Sequence, residues 1–154
     1  MLEPLDNKAE VVAQLNEILE HELSGVVRYT HYSFMVFGFG RIPIVSWFRS
    51  AADETMLHAI QAGELVTHLG EHPSLGIGTL LETHKHDIRD ILLESLAFER
   101  TGVEKYHRLL ALTEGRSVFL EEYSRRMIAE EEQHIGDIDK MLRRPGEVSS
   151  VVEE

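Results

Sequence analysis

Apolar residues return every three or four positions along most of the chain, and no segment alternates convincingly with period two. Such spacing builds amphipathic α-helices, not strands. A first stripe runs through Val11, Leu15, Ile18, Gly25, Val26, Tyr29, Tyr32 and Val36; it predicts a helix capped by Asp6 or Asn7 and reaching about Phe37. Residues 38–41 (GFGR) interrupt it. Pro43 suits a first helical turn, and a second stripe follows through Ile44, Trp47, Phe48, Ala51, Ala62, Leu65 and Leu69 to Gly70. Residues 71–79 form the longest stretch rich in helix breakers. Beyond it, Ile88, Ile91, Leu92, Ser95, Gly102, Val103, Tyr106 and Leu110 predict a third helix from about Leu80 to Thr113. Leu120, Tyr123, Met127, Ile138, Met141 and Leu142 predict a fourth from about Val118 to Leu142. Helices of about 30 residues are about 45 Å long. Two short turns and one longer middle connection imply an all-α fold, a four-helix bundle with one long crossover between the second and third helices. One domain is expected over residues 1–145, with a short mobile tail at 146–154.

The stripes carry polar interruptions. Glu22 lies four after Ile18 and seven before Tyr29, and Glu99 lies seven after Leu92 and seven before Tyr106. Glu131 follows Met127 by four, and His134 precedes Ile138 by four. In the second helix, His58 stands four before Ala62, and Glu54 four before His58. Each helix thus sets at least one ionisable group at a core position near its middle. A buried carboxylate is costly unless compensated, and several together raise one another's pKa. No Lys or Arg shares these stripes. Two divalent cations would balance four carboxylates, and two neutral imidazoles would add donors without upsetting that balance. The pattern points to a dinuclear site bridged by carboxylates. Oxygen-rich donors with one histidine per metal favour iron or manganese over structural zinc.

An internal repeat agrees with this. Glu22 to Glu54 and Glu99 to Glu131 are both 32 residues, and Tyr29 and Tyr106 each follow their glutamate by seven. A shift of 77 overlays the first hairpin on the second, except that His58 maps to residue 135 and not to His134.

Composition narrows the function. The 154 residues contain no cysteine, which excludes disulfides, thiolate zinc sites, iron–sulfur clusters and cysteine nucleophiles. That suits a reducing cytoplasm. Acidic residues outnumber basic ones, 27 to 15, giving a formal charge of −12, so no nucleic-acid partner is expected and cations are attracted. No stretch approaches the ~18 apolar residues of a membrane span, and the N-terminus lacks a secretory pattern. A cytoplasmic protein with no membrane partner is expected.

The residues in these positions resemble the ferritin-like di-iron family, and the bacterioferritins within it, over roughly residues 10–142. That family sets a lone Glu on helices one and three and Glu-x-x-His on helices two and four. Glu22, Glu99, Glu131, His134 and His58 are similar to its ligands, and Tyr29 to a tyrosine beside its metals. Two departures stand out. The second helix spaces Glu54 and His58 by four, with Thr55 where the family has its carboxylate. Glu54 is the expected replacement, helped by a π-bulge between 54 and 58; the alternative is a site of five ligands. Eight residues follow Pro145-Gly146, so the family's usual fifth helix is expected to be shortened or missing.

The resemblance implies two Fe²⁺ ions per subunit, about 3.5–4 Å apart, and a ferroxidase that oxidises Fe²⁺ to Fe³⁺ with O₂ or hydrogen peroxide. It also implies iron storage and detoxification in a homo-oligomer, in the family a 24-subunit shell. Tyr29, and by internal symmetry Tyr106, would hydrogen-bond a ligand or donate an electron. Met56, two before His58, matches a methionine that in the family holds haem b between two subunits. A rubrerythrin-like di-iron peroxidase without a rubredoxin domain and a metal-free helical interaction module are the alternative functions.

Other polar residues are assigned to solvent. Glu104 and His107 fall outside the stripe, Glu130 and Glu132 should point away from the core, and Asp53 should be exposed. His21 and His31 should face away from the site. Residues 84–87 (HKHD) read as a solvated helix start that could also bind a surface metal. Trp47 and Phe48 should fill core or subunit interface.

Overall fold

The computed structural model describes residues 4–151. Residues 1–3 and 152–154, the ends of the expected domain and tail, lie outside the described residues. Four helices follow in order: α1 (Lys8–Phe34), α2 (Arg41–His68), α3 (Ile88–Thr113) and α4 (Val118–Leu142). No strand occurs among the described residues. The fold is the expected all-α four-helix bundle, with residues 69–87 as the long crossover. None of the helices is long and apolar enough to cross a membrane.

Helices α1 and α2 pack as one hairpin, α3 and α4 as another, and the hairpins meet along α1 and α3. Glycine permits that approach: a Cβ on Gly25 would lie 2.6 Å from Phe98 Cζ and 2.8 Å from Thr55 Cγ2. The core divides in two. One apolar layer gathers Leu15, Ile18, Ala62, Leu109 and Met127; the other gathers Tyr29, Phe48, Ile91, Leu96 and Ile138. Glu22, His58, Glu99 and Glu131, all buried, belong to neither layer.

Several expected boundaries move. Helix α3 begins at Ile88, not near Leu80, because His84 takes a left-handed φ of 56° and Asp87 caps the helix by accepting from Arg89 N at 3.1 Å. Helix α1 ends at Phe34, and Arg41 donates to Val36 O at 2.6 Å in the turn that follows. Asn7 precedes α1 without capping it through its side chain; its Nδ2 donates instead to Leu112 O at 2.8 Å. Helix α2 is regular α-helix through residues 54–58, so the expected π-bulge is absent. The crossover follows α1, with Gly78 N donating to Glu20 O at 2.8 Å and Ser74 N to Asn16 Oδ1 at 2.8 Å. After α4 the chain turns back, and Val151 N donates to Asp139 Oδ1 at 2.6 Å.

Candidate metal centre

The four helices aim their polar core residues at one place between the apolar layers. Glu22, His58, Glu99 and Glu131 are at most 4% exposed. His58 Nδ1 lies 3.5 Å from Glu22 Oε2 and 3.3 Å from Glu131 Oε1. His134 Nδ1 lies 3.9 Å from Glu99 Oε1. Two trios result, Glu22–His58–Glu131 and Glu99–Glu131–His134, each with its donor atoms within 4.8 Å of one another. Glu131 belongs to both.

Hydrogen bonds cross between the hairpins in matching pairs. Tyr106 OH donates to Glu22 Oε1 at 3.0 Å, and Tyr29 OH donates to Glu99 Oε1. Burial and then the nearby carboxylates push both phenols well above the usual tyrosine range, so both remain donors. On the outer side, Glu130 Oε2 meets His58 Nε2 at 2.9 Å and Glu54 Oε2 meets His134 Nε2 at 3.0 Å.

Electrostatics show a cluster held together by shared protons. Burial raises the pKa of Glu22 against the pull of the nearby His58 imidazole. Burial, then the charge of Glu99, pushes Glu131 well above the carboxylate range. Burial also opposes ionisation of Glu99, but its neighbours Glu131, His134 and Tyr29 outweigh it and hold Glu99 at about 2. Burial disfavours the imidazolium of His58, yet Glu131 and Glu22 raise it to about 11; Glu99 likewise raises His134 to about 9. Despite these neighbours, His58 Nδ1 is buried and makes no hydrogen bond. An orphaned nitrogen facing two carboxylates fits a cation at that point. Divalent ions would replace the protons that now link these groups.

Glu54, expected as the second-helix ligand, lies outside both inner trios. Its side chain is 44% exposed, and it joins His58 and Glu130 in an outer group. Each residue of an α-helix turns by about 100°, so on a regular α2 it is residue 55, not 54, that points inward. That residue is Thr55, buried, with its hydroxyl bonded back to Ala51 O at 2.7 Å. The repeat clarifies the arrangement. Helices α1 and α3 are related by 77 residues, but Glu54/Glu130 and His58/His134 are each separated by 76. Glu54 therefore corresponds to Glu130, and Thr55 to Glu131.

Glu130, expected to point away from the core, reaches back to His58 Nε2 on the outer side of the site. A second Glu-x-x-x-His, Glu130–His134, matches Glu54–His58 and is the signal that could have found it. His21 is also closer than expected. Its ring stacks on Phe98 at 4.1 Å, and a Cβ on Gly102 would sit 3.2 Å from His21 Nε2 and 3.7 Å from Glu131 Oε2. Burial, then Lys105, lowers its pKa to about 4. Glu104, His107, Glu132 and Asp53 are exposed as expected, Phe48 is core, and Trp47 packs edge-on to Tyr29 at 6.4 Å. Met56 is 44% exposed on the outer face of α2. A cleft of about 130 Å³, lined by Trp47, Ala51, Glu54, Glu99, His134 and Asp137, reaches the second trio from outside.

The likeness to known proteins agrees with this geometry. Residues 12–145 match the ferritin family, described as a ferritin-like domain. A solved ferritin-like, diiron-carboxylate protein from Bacillus anthracis is 23% identical, with a TM-score of 0.85 over 91% of this chain and 100% of that one. A dodecameric thioferritin from Bacteroides fragilis, a bacterioferritin-related protein, is 22% identical, with a TM-score of 0.81 over 90% of this chain and 86% of that one. No curated protein matches the chain significantly.

Proposed function

The chain belongs to the ferritin-like family, and from that premise we propose that it is a di-iron ferroxidase serving iron detoxification and storage in the cytoplasm. The observation that carries this reading is His58 Nδ1, buried without a hydrogen bond between the carboxylates of Glu22 and Glu131. Fe²⁺ is the substrate, and each of two ions gives one electron to O₂ or hydrogen peroxide.

The chain's own residues prepare that transfer. Glu22, His58 and Glu131 would hold one ion, and Glu99, Glu131 and His134 the other. Glu130 Oε2 accepts from the outer nitrogen of His58, and Glu54 Oε2 lies 3.0 Å from that of His134. This fixes the tautomer that turns a lone pair inward. Tyr106 holds one oxygen of Glu22 and leaves the other facing His58. Three inner carboxylates fall one charge short of two divalent ions, and the outer pair supplies further negative charge. The apolar layers exclude bulk water from both ends.

Exposed apolar residues on α2 and α4, among them Leu57, Ile60, Val118 and Phe119, support a homo-oligomer. So does the dodecamer of the Bacteroides fragilis relative. Met56 lies exposed on α2 with Leu57 and Ile60, so a haem held through it would sit between two copies.

Anaerobic Fe²⁺ titration followed by O₂ or peroxide tests the proposal. The expected result is saturation at two ions per chain, both oxidised, and loss of both in Glu131→Ala. Binding that never saturates, or that survives Glu131→Ala unchanged, would overturn it.

A further inference from the structure

The crossover gathers a second set of metal-binding side chains that shares no residue with the buried centre. His84 Nδ1 lies 3.8 Å and His86 Nε2 3.4 Å from Glu82 Oε1. The three donor atoms fall within 4.8 Å of one another. The other carboxylate oxygen, Oε2, is held by His31 Nε2 of α1 at 2.9 Å. His86 Nε2 is a buried atom that makes no hydrogen bond. His84 is the only non-glycine with positive φ among the described residues, and its backbone N donates to Glu82 Oε1 at 2.5 Å. A left-handed histidine is an unfavourable backbone choice. Here it brings His84 back beside Glu82.

We propose that Glu82, His84 and His86 form a binding site for a divalent cation of the zinc class, with His31 orienting the carboxylate. Two imidazoles and one carboxylate are a donor set that zinc accepts while keeping a coordination position open. Nitrogen donors argue against calcium or magnesium, which take oxygen. The spacing agrees as well. Donors at about 2.0–2.1 Å from a tetrahedral zinc lie about 3.3 Å apart, close to the 3.4 Å and 3.8 Å seen here. His31 bonds the carboxylate from outside, as partners of metal ligands do. Because His31 belongs to α1, the ion would fasten the crossover to the first hairpin.

The test compares the full chain with His84→Ala/His86→Ala by Zn²⁺ equilibrium dialysis, with Co²⁺ as an absorbing substitute. Zinc taken up by the buried centre is common to both proteins and cancels in the difference. The parent should hold one more ion per chain than the double variant, and Glu82→Gln should bind that ion at least tenfold more weakly. Oxidation of two Fe²⁺ per chain should be unchanged in both variants, which also shows that they fold. Equal zinc stoichiometry and affinity in parent and double variant, or an unchanged affinity in Glu82→Gln, would overturn the proposal.

Discussion

The two trios of the buried centre are built to one plan and differ in access. In the first, Glu22, His58 and Glu131 are all buried, and Glu130 closes over the outer nitrogen of His58. In the second, the His134 side chain is 19% exposed, and a cleft bordered by Glu54 and Asp137 leads to it. The difference begins at one position. Thr55 stands where symmetry with Glu131 would place a second shared carboxylate. With Glu131 as the only inner carboxylate common to both trios, an ion in either would depend on its own histidine and on what steadies it. An ion in the closed half should therefore exchange more slowly than one in the open half.

The sharpest way to break this comparison is to remove the outer carboxylates one at a time. Loss of such a partner typically weakens metal binding about 10–100-fold. Glu130→Gln should weaken the ion at the closed trio, and Glu54→Gln the ion at the open one, as two resolved steps in an anaerobic Fe²⁺ titration. If either variant weakens both steps equally, the halves are not independent.

A smaller effect comes from pH. His134 has its pKa raised to about 9 in the metal-free protein, so below that value an ion must displace a proton to reach it. Affinity at the open trio should rise at least about tenfold per pH unit below about 9, more steeply where Glu131 also gives up a proton. Buffer-dependent heats in calorimetry would report the released proton. The sign for stability is the reverse. This histidine stabilises the metal-free fold fully below about pH 6.5, and that contribution is lost as pH rises through about 9.

The smallest effect separates the hairpins through their related glycines. Gly25→Ala would force a Cβ to 2.6 Å from Phe98. Overpacking of that kind costs about 1–3 kcal/mol. Gly102→Ala meets His21 Nε2 at 3.2 Å and Glu131 Oε2 at 3.7 Å, looser contacts than those at Gly25. There the roughly 0.8–1 kcal/mol that alanine gains over glycine in a helix offsets the contact. Thermal unfolding of the metal-free variants should show a lowered Tm for the first and little change for the second.

Much of this arrangement was legible in the sequence, because a glutamate in an apolar stripe leaves few options. Glu22, Glu99 and Glu131 announced themselves by position, as did the two histidines and both tyrosines. The role of Glu54 did not. A shift of 77 residues matches α1 to α3 and makes Glu54 the counterpart of Glu131, whereas α2 and α4 are related by 76. One residue of difference between the hairpins rotates the assignment by a full helical step. Glu130 escaped notice because periodicity gives the direction of a Cβ and not the reach of a long side chain. The start of α3 was misplaced because Leu80 and Leu81 continue an apolar pattern, and only the contacts of Glu82 and the backbone of His84 show where the helix cannot begin.

The charged layer between the two apolar ones has a mechanical consequence. Most helical bundles loosen from their frayed termini inward. Here the two ends are packed with hydrocarbon, while the midsection holds acids and imidazoles whose charges depend on one another. Without metal, such a bundle would soften at its waist first, so loss of bound ions would show as loosening of its middle and not of its ends.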